Sequence, residues 1–464
     1  MRALALALLA AAAAAQPTLS PIAENGPTGQ RLNVVVVAEG YTEAQRGAFA
    51  GDAGRVAAAL FEAEPFERYG AFFNTFALFV PSQQSGADHP SRDVYRATAF
   101  GAAYDCAGIQ RLICLSSAGQ TALTGLLRDL IPEYDVVLVL VNDPEYGGSG
   151  GTFAVSSVHP SAPEIAIHEV GHSFAGLADE YGGTQGGFTS LNTTTSTARD
   201  RIPWRVWVDD ATPVPTPVSS GYDGAVGLFE GAAYADVGAY RPQHTCKMRT
   251  LGVPFCAVCH EHHIGAIYDR VSPIAAVSPA GPDVEAGAGE ALAFGVDALV
   301  PSDRQSVEWT VGGVTAQVGG AAFALRADDL PAGATEVRVR VADVTDEVRA
   351  PSLRPLLQDT FAWTVTRLPT GAEGPAARPT HLGVVSPNPV RASARLSYHL
   401  ARPGRVRLTV LDVLGRTVAV VEDGDRPAGP HQAEWSPGGL GAGVYLVRLE
   451  AAGVVAARPV TVAR

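Results

Sequence analysis

The sequence predicts a multidomain protein: an α/β domain, then an immunoglobulin-like β-sandwich, then a small C-terminal β-sandwich. Three observations predict it. Strand-like and helix-like stretches alternate over residues 30–145, the pattern of an α/β layer. Short alternating runs separated by turn residues fill 285–366, as in sandwiches of the immunoglobulin type. Residues 381–464 are again β in pattern and carry ten Arg against six Asp and Glu, net +4, whereas the rest carries −17. A change of charge sign across a Pro/Gly-rich stretch marks an independent module.

The elements follow in order. Met1-Arg2, an Ala/Leu run to Ala15 and an Ala13-x-Ala15 exit predict a secretory signal peptide over 1–15. No later run of about 18 apolar residues follows, so no transmembrane anchor is expected. Val34-Val35-Val36-Val37 is a continuous apolar run, as in a strand buried on both faces. An Ala-rich helix follows at 43–62, a strand at 74–80, a helix at 120–130 and a strand at 136–141. Gly147-Gly148-Ser149-Gly150-Gly151 reads as a turn, Phe153–Val158 as an edge strand and Ile165–Leu177 as a helix. The pattern is weak over 188–245. The expected boundaries are 22–271 for the α/β domain, 272–368 for the first sandwich, 369–380 for a linker and 381–464 for the last module.

Composition excludes several classes. At 47% hydrophobic and 17% charged residues, the chain has the apolar content for packed cores and is not disordered. At net charge −13 with no basic run, no nucleic-acid partner is expected.

The chemical centre is His168-Glu169-Val170-Gly171-His172. Two His at i and i+4 share one helix face and can meet one Zn²⁺, with Glu169 beside them as general base. A third protein ligand is needed. Asp179 lies seven residues after His172, about 10 Å further along a straight helix, so the helix must break. Gly176 can supply the break. Asp179 is the expected third ligand and Glu180 its rival. Metzincin proteases carry a Met beneath the zinc, and Met248 is the one internal Met, so it is the candidate Met-turn residue. Lys247, the one lysine, precedes it.

Five cysteines are an odd number. Cys106 and Cys114 enclose a loop suited to a disulfide in an exported protein. Cys246 is expected to pair with Cys256 or Cys259; the alternative is a second zinc site with His260, His262 or His263. Tyr181 and Tyr240 are candidate oxyanion donors, with half-buried packing as the plainer reading. Asn192-Thr193-Thr194 fits a glycosylation pattern and is read as chance.

The stretch from His168 to Tyr181 resembles the IgA-peptidase family of secreted zinc metalloendopeptidases. Supporting stretches are Val141–Asp143 with Tyr146–Gly151, Glu230–Ala232 with Tyr240–Pro242, and Cys246–Arg249 with Phe255–Cys259. The resemblance covers about 30–270. It implies an α/β zincin (metzincin-like) catalytic fold, one catalytic Zn²⁺ and endopeptidase activity on a protein or peptide substrate. The tail resembles the C-terminal sorting domain of type IX secretion, through Ser386–Pro389, Asp412–Arg416 and Gly443–Leu446. That implies the type IX secretion machinery as a partner and a secreted or cell-surface location. The sequence expectation is therefore a secreted zinc endopeptidase. The rival expectation is a surface adhesion protein with a structural metal site, and a weaker third is a metal-dependent hydrolase of a non-peptide bond.

Overall fold

The computed structural model describes residues 16–184, 186–368, 379–451 and 453–463. The signal-peptide reading of 1–15 and most of the linker reading of 369–380 lie outside the described residues. The fold is strand-rich, with several separate sheets. It divides into two compact units: one runs through Arg270 and takes in Asp346–Arg354, and the other holds Val271–Thr345 with the chain from Pro355 onward.

The first unit is built on a six-stranded sheet. Its strands are β1 (Thr18–Ala23), β2 (Leu32–Glu39), β3 (Phe73–Phe79), β6 (Tyr134–Val141), β7 (Gly148–Ser149) and β8 (Ala154–Ser157), in the order β1-β3-β2-β6-β8-β7. The two short strands between them in sequence, β4 (Ala102–Ala103) and β5 (Cys114–Leu115), pair with each other. The inner four strands, β3-β2-β6-β8, are parallel, and the edges β1 and β7 run antiparallel. Every residue of β2 is buried. That explains the Val run: a central strand in a parallel sheet has no wet face and needs no polar alternation.

Three helices cover the sheet: α1 (Arg46–Phe61) and α3 (Ala162–Ser173) on the face of Val36 and Leu138, and α2 (Ser117–Leu130) on the other, where Leu123 and Leu127 join Val35 and Val37. Ser116 caps α2, its hydroxyl accepting from the Gly119 N–H at 3.0 Å, which satisfies one orphan donor of the first turn. Helix α3 packs on β8 and α1 through Ile165, Ala166 and Val170, all buried. A β-hairpin, β9 (Phe229–Ala232) and β10 (Ala235–Arg241), and a last helix α4 (Ala257–Tyr268) complete the unit. Asp346–Arg354 is tied to α4 by Glu261, whose carboxylate accepts from the N–H groups of Arg349 at 2.7 Å and Ala350 at 3.0 Å.

The second unit holds two β cores. In the first, a three-stranded and a five-stranded sheet bury Trp309, Trp363 and Phe294. In the second, a three-stranded and a four-stranded sheet bury Trp435, Tyr398 and Leu408. Among the described residues no helix is long and apolar enough to cross a membrane.

Candidate metal centre

The site forms where α3 ends. The N–H of Gly176 bonds the carbonyl of His172 at 3.1 Å, and Gly176 has φ +68°, a left-handed cap that glycine adopts without a Cβ clash. Leu177 N–H then reaches the carbonyl of Gly171 at 3.0 Å. The chain turns back instead of running on, and Asp179 comes to the face that carries both histidines.

Three ligand atoms converge. His168 Nε2 lies 3.1 Å from Asp179 Oδ1, His172 Nε2 lies 3.3 Å from the same oxygen, and the two Nε2 atoms are 3.2 Å apart. Tetrahedral zinc with bonds of about 2.1 Å sets its ligand atoms about 3.4 Å apart. The other ring nitrogens are spoken for: His168 Nδ1 donates to the Lys247 carbonyl at 2.9 Å, and His172 Nδ1 to the Leu177 carbonyl at 2.8 Å. A carbonyl only accepts, so each Nδ1 carries the hydrogen and each neutral ring turns a lone pair to the centre. Two lone pairs and a carboxylate oxygen facing one point repel unless a cation sits there. Burial opposes ionisation of both groups, yet with no ion between them Asp179 raises His172 to about 9 and the imidazoles hold the Asp179 carboxyl well below its usual range, so a proton holds the place that a metal ion takes by displacing it. These residues fit a divalent zinc ion.

Glu169 sits one residue after the first histidine and is buried. Its Oε2 has no hydrogen-bond partner among the described residues, and burial raises its carboxyl above the ordinary range. The glycine loop passes close by. A Cβ on Gly150 would stand 2.6 Å from Glu169 Oε2 and 3.2 Å from His172 Cδ2, so a side chain here would displace the Glu169 carboxylate. Met248 is fully buried beneath α3: a Cβ on Gly171 would meet its Sδ at 2.5 Å. The Met248 carbonyl accepts from the Glu180 N–H at 2.8 Å, joining the Met248 turn to the loop that carries Asp179.

Two residues around Asp179 were not foreseen in the sequence. Tyr234 donates its hydroxyl to Asp179 Oδ2. It stands in the β9–β10 turn, where Ala233 and Tyr234 both have positive φ, +49° and +63°. Non-glycine residues there are strained, and the turn is held by Ala233 N–H to the Asp179 carbonyl at 2.9 Å and Tyr234 N–H to the Tyr181 carbonyl at 3.1 Å. Asn192, fully buried, accepts from Ala178 N–H and donates to the Ala178 carbonyl, both at 2.8 Å. The Asn-x-Thr pattern thus belongs to a loop clamp. Tyr181 packs edge-on against Tyr234 at 5.4 Å. Tyr240, on β10, pairs its backbone with Thr194.

The cysteines divide. Cys106 and Cys114 form a disulfide with Cα atoms 5.9 Å apart. The expected bridge from Cys246 to Cys256 or Cys259 is not formed: all three are free and buried. Glu180, the rival third ligand, turns away from the histidines and joins these thiols. Adjacent residues on an extended chain face opposite sides, so Asp179 and Glu180 serve different clusters. His260, His262 and His263 lie outside the thiol group; His260 Nε2 meets Glu347 at 3.1 Å, and His263 packs on Phe255 at 4.3 Å between ring centroids.

Solved structures with local likeness include dimeric latent PorU from Porphyromonas gingivalis, 18% identical, covering 39% of this chain and 19% of that one, TM-score 0.17. SGBP-B of a Bacteroides ovatus mixed-linkage glucan utilization locus, in complex with a mixed-linkage heptasaccharide, is 20% identical, covering 40% and 43%, TM-score 0.14. The fibronectin(III)-like modules of Clostridium thermocellum CbhA are 11% identical, covering 40% and 91%, TM-score 0.15. The chain thus spans less than half the length of the first two. No curated protein matches. The model of one family, IgA Peptidase M64, matches residues 20–223 and 218–267. That is over half of the chain and spans His168, His172, Asp179 and Met248, so the protein belongs to the IgA peptidase M64 family of metallopeptidases.

Proposed function

We propose that this peptidase is a secreted zinc endopeptidase with a zincin-like catalytic domain, in which His168, His172 and Asp179 hold the ion and Glu169 is the general base. One observation carries the reading: two histidine ring nitrogens and an aspartate oxygen converge within 3.1–3.3 Å, beside a buried carboxylate oxygen that has no partner among the described residues. When bound, zinc supplies Lewis acidity, lowering the pKa of water toward ~7 and polarising a peptide carbonyl.

The protein's own residues do the rest. The carbonyls of Lys247 and Leu177 fix both imidazoles in the ligating tautomer, and Tyr234 orients Asp179. Glu169 Oε2 takes a proton from the attacking water and returns it to the leaving amine. The glycine loop lets backbone pass close over the site, leaving space for an extended peptide. The substrate class is extracellular protein; the sequence motifs of the C-terminal module support export through type IX secretion, with that module as the sorting signal. Fusing residues 381–464 to a periplasmic reporter in a type IX-competent host tests the latter, and retention of the reporter in the periplasm refutes it.

For the catalytic reading, Glu169→Ala is expected to keep its zinc and lose hydrolysis of a peptide library by about 10²–10⁴-fold. Undiminished cleavage by that variant overturns the mechanism.

A further inference from the structure

A second cluster of metal-ligating side chains lies outside the site just described. Cys246, Cys256, Cys259 and Glu180 bring one ligand atom each to within 4.8 Å of one another, and all four residues are buried. Glu180 Oε1 lies 3.0 Å from Cys259 Sγ and 3.8 Å from Cys256 Sγ. Zinc with Zn–S bonds of about 2.3 Å and a Zn–O bond of about 2.1 Å sets sulfur and oxygen about 3.6 Å apart, between the two observed values.

Several features go beyond proximity. Glu180 is fully buried; its Oε1 accepts from Asn192 Nδ2 at 3.0 Å, and its Oε2 has no partner among the described residues; a buried carboxylate left so is costly and calls for a cation. Two backbone N–H groups aim at sulfur: Cys256 N–H at Cys246 Sγ, 3.3 Å, and Cys259 N–H at Cys256 Sγ, 3.5 Å. Cys256 caps the N-terminus of the 12-residue helix α4, where the helix dipole favours thiolate over thiol. Buried Arg241 adds positive charge beside Glu180 and Cys246, offsetting the surplus of three thiolates and one carboxylate over a divalent ion. A disulfide answers less. Joining any two of the sulfurs leaves one thiol, and a buried carboxylate with one oxygen that no described residue satisfies.

We infer that Cys246, Cys256, Cys259 and Glu180 form a second, structural Zn²⁺ site, closed by four protein ligands. Binding displaces the thiol protons to solvent and forms three Zn–S bonds and one Zn–O bond, with no change of oxidation state. Four protein ligands leave no open position, the mark of a structural site. Its place gives it a purpose. Glu180 follows Asp179, Cys246 stands two residues before Met248, and Cys256 and Cys259 open α4, so one ion pins the ligand loop, the Met turn and that helix together.

The test uses the full-length protein and its His168→Ala/His172→Ala variant, purified without chelator or added reductant. Metal analysis is expected to give two zinc ions per wild-type chain and one in the variant. Replacing the variant's metal with cobalt is expected to produce intense thiolate-to-cobalt charge-transfer absorption. Denaturation in chelator is expected to release three titratable thiols. A variant that folds but holds no metal overturns the inference, as does an intact mass four hydrogens below that of the fully reduced chain, one disulfide beyond Cys106–Cys114, with one thiol left. Cys259→Ser is expected to lower the wild-type count by one; if it fails to fold, the cobalt spectrum of the histidine variant still decides. One ion in both wild type and variant refutes the catalytic site and leaves this one standing, so the two failures are distinguishable.

Discussion

Gly171→Ala separates helix propensity from packing. By propensity alone, replacing a mid-helix glycine with alanine stabilises by about 1 kcal/mol. The structure opposes this. The new Cβ would lie 2.5 Å from Met248 Sδ, 3.3 Å from Met248 Cε and 3.5 Å from Phe255 Cε1, whereas such atoms rest at about 3.5–4.0 Å. Sulfur must therefore move by roughly 1 Å. Met248 has no exposed surface into which to move, and its carbonyl is held by Glu180. Overpacking of this kind costs about 1–3 kcal/mol; the pinned neighbour puts the cost at about 2–3 kcal/mol, and the net loss at about 1–2 kcal/mol. Thermal unfolding at fixed zinc concentration is the assay, since bound metal shifts the midpoint. At about 2–4 °C per kcal/mol for a unit of this size, the midpoint should fall by about 2–8 °C. Gly171→Ala/Met248→Ala should lose less than the two single losses added together, because the new methyl occupies space the sulfur has left. A midpoint that rises on Gly171→Ala refutes the claim that Met248 packs beneath the motif.

The remaining predictions concern the surroundings. Tyr234→Phe removes the hydroxyl that orients Asp179 and should weaken zinc binding about 10–100-fold, read by competition with a fluorescent chelator; unchanged affinity assigns the tyrosine to packing alone. Cys106→Ser/Cys114→Ser opens a loop of sequence separation 8 and should cost about 2.5 kcal/mol by chain entropy, seen as a lower unfolding midpoint that reductant no longer shifts. Burial pushes His262 down to about 4, below an ordinary imidazole, so its contribution is present above pH ~6.5 and lost as pH falls toward 4. His262→Leu should flatten the decline of the unfolding midpoint between pH 7 and pH 4.5, and an unchanged slope removes His262 as its source.

What the sequence revealed was local in origin. Val34–Val37 announces a doubly buried strand because a central parallel strand tolerates nothing else. The helical repeat alone puts His168 and His172 on one face, and the zinc bond length alone demands a break near Gly176. What it hid depends on contacts between distant segments. Tyr234 reaches Asp179 from a turn whose two central residues, Ala233 and Tyr234, carry positive φ without glycine or asparagine. The usual turn signature was absent, because tertiary hydrogen bonds hold the strain. Asn192 looked like a chance pattern because nothing in its neighbourhood announces a buried clamp. Which of Asp179 and Glu180 faces the histidines depends on how the chain leaves the Gly176 cap, which spacing alone leaves open. The oxidising compartment expected from the N-terminus argued for a bridge at Cys246, but the partners that surround it include a carboxylate 66 positions earlier in the chain.

Anomalous diffraction at the zinc edge from crystals of the full-length protein tests the central claim most directly. The account predicts a peak about 2.0–2.2 Å from His168 Nε2, His172 Nε2 and Asp179 Oδ1, with Glu169 Oε2 near it but not a ligand. A peak that Glu180 ligates in place of Asp179, or no peak between the two histidines in zinc-replete crystals, contradicts it.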